Sequence, residues 1–313
     1  MKVEKDRAQD IIISLRNRKY ISQESRVFSS GSYVYIPLTD GSSPMPGDGE
    51  IVEIEPRLPA HQSLPQSIKG SYDRIGDIAI VKIRNTQRAA GLADAILQSG
   101  TGVVSVWKDS GIQGEYRTRR LEWLAGEKKT VSLYTENQAR FMLDISKVYF
   151  SPRLATERMR LARRIHDGEY IIDMFAGIGP FGIIIARNRD VEITCIDANP
   201  DAIHFMKESI KLNKLKGKIS PVLGQAEKVM QRLPRADRII MNLPHDSMSY
   251  LDIAKASLKD DGTIHLYMIG SMADTEANME KIRINGLTVT DKRIVHGYSP
   301  TESLISLSLR KTL

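Results

Sequence analysis

From about residue 141 to the C-terminus, short apolar runs alternate with stretches of helical length, and this alternation limits the possible folds more than any other feature. Strands are expected at 170–174, 192–197, 219–223, 238–242, 263–268 and 304–309. Helices are expected at 180–187, 200–213, from 227 onward, at 249–257 and at 273–284. Parallel neighbours in a sheet need a long crossover, usually a helix, so the pattern predicts an α/β domain with a doubly wound, Rossmann-like sheet. The final strand is expected as an inserted antiparallel edge strand.

The pattern becomes chemically specific at residues 168–188. An apolar run (Tyr170, Ile171, Ile172) meets Asp173, a glycine-rich turn follows, and Pro180 opens a helix. Gly177, Gly179 and Gly182 satisfy G-x-G-x-x-G, which read alone points to a dinucleotide. Asp173 argues otherwise, because a carboxylate ahead of the glycines repels a pyrophosphate and attracts the ammonium and sulfonium charges of S-adenosylmethionine. Asp197 stands 20 positions after Gly177, where an acid can hold ribose hydroxyls; its bland alternative is to cap the next helix. Asn199 and Pro200 start that helix. Gln225, after the third strand, stands where an adenine edge would lie and can both donate and accept.

Composition narrows the classes. The chain of 313 residues has 45 Lys and Arg against 38 Asp and Glu, a net charge of +7 that favours a polyanionic partner. No apolar run reaches membrane-span length, and the polar start Met1-Lys-Val-Glu-Lys-Asp-Arg does not read as a secretory signal, so a cytoplasmic location is expected. The single cysteine, Cys195, excludes an internal disulfide framework and lies in an apolar strand pattern, so a buried core thiol is expected and no metal site. Three regions separate: a small module over 1–64, ending in Pro-, Ser- and Gly-rich punctuation; a mixed α+β unit over 65–140; and the α/β domain over 141–313.

Candidate chemistry lies at two places besides the glycine turn. The fourth strand leads into Asn242-Leu-Pro-His, which would put Asn242 and Pro244 at the carboxyl edge of the sheet, where open α/β sheets place their chemistry. Asp246 and Ser247 there also read as helix caps. Before the glycine strand runs Lys147-Val-Tyr-Phe-Ser-Pro-Arg-Leu-Ala-Thr-Glu-Arg-Met-Arg. Thr156 can cap a helix carrying Glu157 in its first turn, which carries equal weight with a catalytic reading. Arg153, Arg158, Arg160, Arg163 and Arg164 can instead grip phosphates, with Tyr149 and Phe150 as stacking faces.

Together, Gly114-Glu-Tyr-Arg, Val148-Tyr-Phe-Ser-Pro-Arg-Leu-Ala-Thr-Glu-Arg, Asp173-Met-Phe-Ala-Gly-Ile-Gly-Pro-Phe, Ile196-Asp-Ala-Asn-Pro and Met241-Asn-Leu-Pro resemble the archaeal and eukaryotic tRNA (guanine-37 N1)-methyltransferase family over residues 65–313. The resemblance implies a Rossmann-like methyltransferase sheet behind a smaller RNA-binding domain, S-adenosylmethionine as cofactor, and tRNA as partner of a monomer. It implies Glu157 as general base, Arg117 facing the guanine oxygen, and Asn242 and Pro244 holding the base. It also implies cofactor contacts from Asp173, Phe175, Gly177, Gly179, Asp197, Asn199, Gln225 and Tyr149, and RNA contacts from Arg153, Arg158 and Lys108. Where the family often has an acid against the adenine amino group, this chain has Gln225. A wybutosine-pathway transferase, acting on the tricyclic base by C7-methylation or aminocarboxypropyl transfer, is the nearest alternative. A nicotinamide-dependent dehydrogenase and a non-catalytic RNA-binding module are alternatives from other classes.

Overall fold

The computed structural model describes residues 1–22, 27–39, 42, 48–52, 72–83 and 85–312. The punctuation expected around 40–49 and 56–65 falls largely outside the described residues. At the N-terminus, β1 (Lys2–Glu4), α1 (Ala8–Asn17), β2 (Phe28–Ser30) and β3 (Tyr33–Tyr35) form a small sheet of order β1-β3-β2. Ala8, Ile11 and Leu15 recur on one face of α1 and bury against Val3 and Ile36.

The next unit comprises β4 (Tyr72–Ile75), β5 (Ile78–Val81), α2 (Thr86–Gln98), β6 (Ser105–Gln113) and β7 (Thr118–Gly126), with sheet order β4-β5-β6-β7. Asn85 caps α2 by accepting the Arg88 N–H, and Leu92, Ala93 and Ile96 cover Ala79, Val81 and Val106. A hairpin of β8 (Val131–Glu136) and β9 (Ala139–Asp144) follows. Its Phe141 and Leu143 belong to one core with Ile75 and Ile80 on one side and Leu161 and Phe181 on the other, so the hairpin joins the two larger units.

Beyond it lie α3 (Ala155–Arg163), β10 (Tyr170–Asp173), α4 (Pro180–Asn188), β11 (Glu192–Asp197), α5 (Pro200–Lys211), β12 (Lys218–Leu223), α6 (Ala226–Met230), β13 (Ala236–Met241), α7 (Leu251–Ala256), β14 (Leu258–Gly270), α8 (Met272–Ile284), β15 (Leu287–Gly297) and β16 (Ser303–Lys311). The sheet has seven strands in the order β12-β11-β10-β13-β14-β16-β15. Strands β10 to β14 pair in parallel, whereas β16 runs antiparallel to both its neighbours. Helices α3, α4 and α5 share a core on one face, and α6, α7 and α8 share one on the other. The chain steps outward from β10 to β12 and then returns to place β13 on the other side of β10. That reversal opens a crevice above the carboxyl ends of β10 and β13, the usual ligand position in such sheets.

Several expectations need correction. The sequence does not announce β7: Arg119 points inward there and is 4% exposed, held by Asp109, so its charge disguises a strand. β9 was not expected, and neither was β15, whose Asp291, Lys292 and Arg293 obscure its period. The C-terminal strand is inserted, as expected, but it is not the edge. β15 is, and its charges suit an edge that must not pair further. Thr156 caps nothing: a 3-10 turn over Pro152–Leu154 leads into α3, with Leu154 at the cap position. Among the described residues no helix is long and apolar enough to cross a membrane.

Cys195 is a free, fully buried thiol. It lies under Gly182, where an added Cβ would stand 2.7 Å from its Sγ. The third glycine of the motif therefore serves helix-to-strand packing. Gly182→Ala is expected to destabilise the protein by about 1–3 kcal/mol through overpacking. Adding Cys195→Ala should restore part of the loss in a urea titration; equal stability of Gly182→Ala and the parent would show that α4 shifts freely.

Candidate active site

The glycine turn is shaped by its own backbone and by one acid. Gly177 and Gly179 adopt φ values of 56° and 75°, in the left-handed region where a side chain is strained. The Asp197 carboxylate accepts the Gly177 N–H at 2.7 Å and the Asn199 N–H at 2.9 Å, pinning the turn to the end of β11. Burial raises the Asp197 pKa, and these two N–H groups oppose the rise. Each oxygen keeps a lone pair for a ribose hydroxyl. Asn199 is used structurally at both ends: its Oδ1 caps α5 at the Asp201 N–H, and its Nδ2 donates to the Lys147 carbonyl.

Asp173 behaves differently. It ends β10 at the crevice, is 1% exposed, and neither carboxylate oxygen has a hydrogen-bond partner. Burial, reinforced by the nearby Asp197 charge, pushes its pKa up to about 7, while the Phe175 N–H pulls the other way without meeting hydrogen-bond geometry. A buried, unpaired carboxylate is costly unless a cation meets it. The site thus fits a ligand with positive charge, as an ammonium or sulfonium provides. Phe175 sits close by, edge-on to Tyr250 at 4.9 Å.

Helix α3 sends two adjacent residues in different directions. Glu157 is 2% exposed; Arg160 binds it through two N–H groups at 2.6 and 2.7 Å, and the Tyr267 hydroxyl donates to it at 2.9 Å. Arg160 is held more firmly protonated by this carboxylate. Its Nη1 has no hydrogen-bond partner, though Asp291 lies 3.7 Å away. Arg158, expected to face RNA, is instead 1% exposed and doubly bonded to Glu136 of β8 at 2.5 and 2.6 Å. It cannot reach a phosphate in this arrangement. Phe150, proposed as a stacking face, is likewise buried, beneath the Arg158 guanidinium.

Around the mouth of the crevice the arrangement is more open. Asn242 follows β13, and its buried Oδ1 lacks a partner. The Pro244 carbonyl accepts the Ile269 N–H at 3.1 Å, which fixes the loop. Arg117 stands on the exposed turn between β6 and β7 at φ 51°. Burial first, and then the Arg117 charge, lower the pKa of His245, so the tip of the second unit lies within electrostatic range of the loop after β13. His245 meets the Tyr298 ring edge-to-face at 5.8 Å.

Tyr149 is 52% exposed, lies over the Arg119 guanidinium at 5.3 Å, and has its carbonyl 3.7 Å from where a Gly177 side chain would begin. Arg153 bonds Asp73 at 2.8 Å, and Lys108 bonds Glu122 at 3.1 Å. Gln225 is exposed beside α6, which it does not cap. Arg119, Tyr267, His245 and Tyr298 were not singled out from sequence; each acquires its neighbours through strand pairing. A groove of about 730 Å³ lined by Arg74, Asp77, Lys129 and Tyr134 lies between the second unit and the hairpin, away from the crevice, and its Asp77 and Lys129 pair with each other.

The strand order, the glycine turn and the acids ending β10 and β11 define a Rossmann-like methyltransferase. Residues 132–296 match the TRM5/TYW2 methyltransferase domain, and residues 57–130 match the TYW2 N-terminal domain. A tRNA (guanine(37)-N(1))-methyltransferase Trm5b of Pyrococcus abyssi is 40% identical over 80% of this chain and 77% of its own length. A solved complex of aTrm5 with tRNALeu superposes with a TM-score of 0.72 at 29% identity, covering 100% of this chain and 99% of that one. Trm5 of Methanocaldococcus jannaschii, solved in complex with adenosine, gives a TM-score of 0.67 at 30% identity, covering 100% and 98%. The chain belongs to the TRM5/TYW2 methyltransferase family. The likeness takes in the first 64 residues as well, beyond the span over which sequence motifs carried it.

The Asp173 pKa, pushed up to about 7 in the folded protein, lies above the ordinary carboxylate value, so the folded state binds the extra proton. The cofactor-free protein should therefore lose stability as pH rises from about 4 to 7, by on the order of 4 kcal/mol from this group. Asp173→Asn should remove that part of the pH dependence, raise the melting temperature at pH 8, and weaken S-adenosylmethionine binding at least tenfold. Unchanged cofactor affinity in calorimetry at pH 8 would exclude Asp173 as partner of its positive charge.

Proposed function

We propose that this methyltransferase acts on tRNA, moving the methyl group of S-adenosylmethionine to N1 of guanosine 37. The observation that carries the reading is the meeting, at one sheet edge, of an unpaired buried carboxylate (Asp173) with an unpaired buried amide oxygen (Asn242). One suits a cationic cofactor; the other suits an N–H of a planar base. When bound, S-adenosylmethionine supplies an electrophilic methyl group on a sulfonium sulfur, so no redox centre is called for.

The residues divide the remaining work. Asp173 meets the cofactor's positive charge, and Asp197 offers its free lone pairs to the ribose. Phe175, the turn glycines, Tyr149 and Gln225 line the nucleoside side. Asn242 Oδ1 accepts from the guanine edge, while the rigid Pro244 backbone limits how the ring can lie. Guanine N1 is a poor nucleophile until it loses its proton, and Glu157 is the base that takes it. Both Glu157 oxygens are already bonded, so taking up a proton requires one of these bonds to yield. Arg160 has Asp291 to turn to when that happens. Arg117 stabilises the negative charge that gathers on the guanine carbonyl oxygen. Arg153 retains exposed guanidinium surface and offers it to phosphate; Lys108, already paired, contributes charge at longer range.

A second reading is a transferase, alone or as a dual activity, on the tricyclic base derived from the same nucleoside. The match of residues 57–130 to the TYW2 N-terminal domain favours it. The two separate by substrate. Unmodified transcripts bearing guanosine at position 37 should be methylated, and those bearing adenosine should not. Equal incorporation into both overturns the assignment, and methylation confined to tricyclic-base tRNA supports the second reading. Glu157→Gln should slow single-turnover methyl transfer by about 10²–10⁴-fold with little change in cofactor affinity. Normal turnover would move the base elsewhere.

A further inference from the structure

Tyr298 has no part in the chemistry above, yet it is a large apolar ring left 51% exposed beside the crevice. It stands at the start of the turn between β15 and β16, and that turn is tightly tied. The Tyr298 and Ser299 N–H groups both donate to the Glu302 carbonyl, at 2.8 and 3.0 Å. The Ser299 hydroxyl accepts the Glu302 N–H at 3.1 Å and donates to the Glu302 carboxylate at 3.2 Å. The ring is thus displayed on a stiff support, which lowers the entropy lost when a ligand packs on it.

His245 meets this ring at 5.8 Å with planes 74° apart, so the two make a corner and not a stack. A corner leaves a π-face of tyrosine free for a third planar group. His245 directly follows the Asn242-Leu243-Pro244 loop, which puts the corner next to where the acceptor base is held. Burial and the Arg117 charge both lower the His245 pKa, which favours the uncharged ring, with Glu302 opposing. Tyr149, also half exposed, lies close enough for Tyr298 to influence its hydroxyl. The His245–Tyr298 corner thus has exposed Tyr149 and exposed Arg117 within electrostatic range, in a chain of net charge +7. Aromatic faces among cations are what unpaired RNA bases bind.

We propose that Tyr298 and His245 form a second nucleobase subsite, which receives an unpaired nucleotide flanking the methylated guanosine. This rests on the tRNA reading above. The subsite holds a base by its face, so it acts on RNA affinity and on placement of the target, with no role in cofactor binding. Tyr298 is a binding residue here, and the ring, not the hydroxyl, does the binding.

The test uses the full-length protein and an anticodon stem-loop RNA at fixed salt, read by fluorescence anisotropy, with calorimetry for S-adenosylmethionine. Tyr298→Ala should raise the RNA Kd by roughly 5- to 100-fold, the range for losing one base–aromatic stack. Tyr298→Phe should stay within about twofold of the parent on the same scale. Both variants should bind the cofactor as the parent does, which also shows that they fold. On stem-loops made abasic at the flanking position, Tyr298→Ala and the parent should bind alike. The proposal is overturned when Tyr298→Ala binds intact RNA like the parent, or when its defect persists with abasic residues on both sides of the target. A parent protein that ignores guanosine-37 transcripts refutes the function itself, a separate result from a parent that methylates them without help from Tyr298.

Discussion

A carboxylate sealed at the end of a central strand, with no donor for either oxygen, is the constraint around which the α/β domain is arranged. Asp173 is flanked in register by Cys195 on β11 and Ile240 on β13, neither of which can neutralise it. The cost of this burial, a few kcal/mol at neutral pH, is a substantial fraction of the roughly 5–15 kcal/mol that a domain has in hand. It persists because the surroundings are over-determined. Both faces of β10 are covered by helices, and the turn beyond it is fixed by Asp197 and by the Met174 and Ala176 N–H groups, which donate to Ile240 and Ile196. The polarity of the site is therefore set before any ligand arrives, which is the preorganisation that electrostatic catalysis needs.

The charged helix before that strand shows how one sequence pattern can serve two purposes. Glu157 and Arg158 are neighbours in sequence and so point to different sides of α3. Arg158 is sunk against Glu136 and the Phe150 ring, which fastens α3 to the hairpin. Removing one member of such a buried pair strands the other charge and typically costs about 3–5 kcal/mol. Glu157 faces Arg160 and Tyr267 instead, in a network that Asp291 and Arg164 continue toward β15. Arg160 lies between two carboxylates, Glu157 and Asp291, whereas Arg158 has Glu136 as its one ion-pair partner among the described residues.

The α/β part of the fold was legible because parallel strands buried on both faces read as apolar runs, and the glycine turn has few alternative conformations. β11 was expected at 192–197 and is found there. Strands that carry charge were not legible: β7 hides Arg119, and β15 is lined with charged side chains. The same limit applies to the site. Asp173 declared itself by position, since an acid before glycines has few explanations. Arg158 did not, because an arginine among arginines reads as surface until a partner 22 residues away turns it inward. Tyr298 and His245 lie 53 residues apart in sequence and meet only through the β13–β14–β16–β15 order.

Arg117 stands on the second unit and Glu157 on the α/β domain, so the roles proposed for them tie the relation between those units to the chemistry. Beyond the core that they share through the hairpin, polar ties between them include Arg153 to Asp73 at 2.8 Å and Arg119 to the Phe150 carbonyl at 3.2 Å. Both come from the stretch between the hairpin and α3 on one side and from the four-stranded sheet on the other. Arg119 also supports the Tyr149 ring, so the tie that sets the spacing of the units also sets the position of a ring at the crevice mouth. Loosening that tie would displace the Tyr149 ring and the Arg117 turn together, although Arg119 and Asp73 are themselves held in the joint between the units. Proximity effects in catalysis are steep enough for a displacement of about 1 Å to cost two orders of magnitude in rate. On the roles proposed for Arg117 and Glu157, the interface between the two units thus belongs to the functional site as much as the glycine turn does.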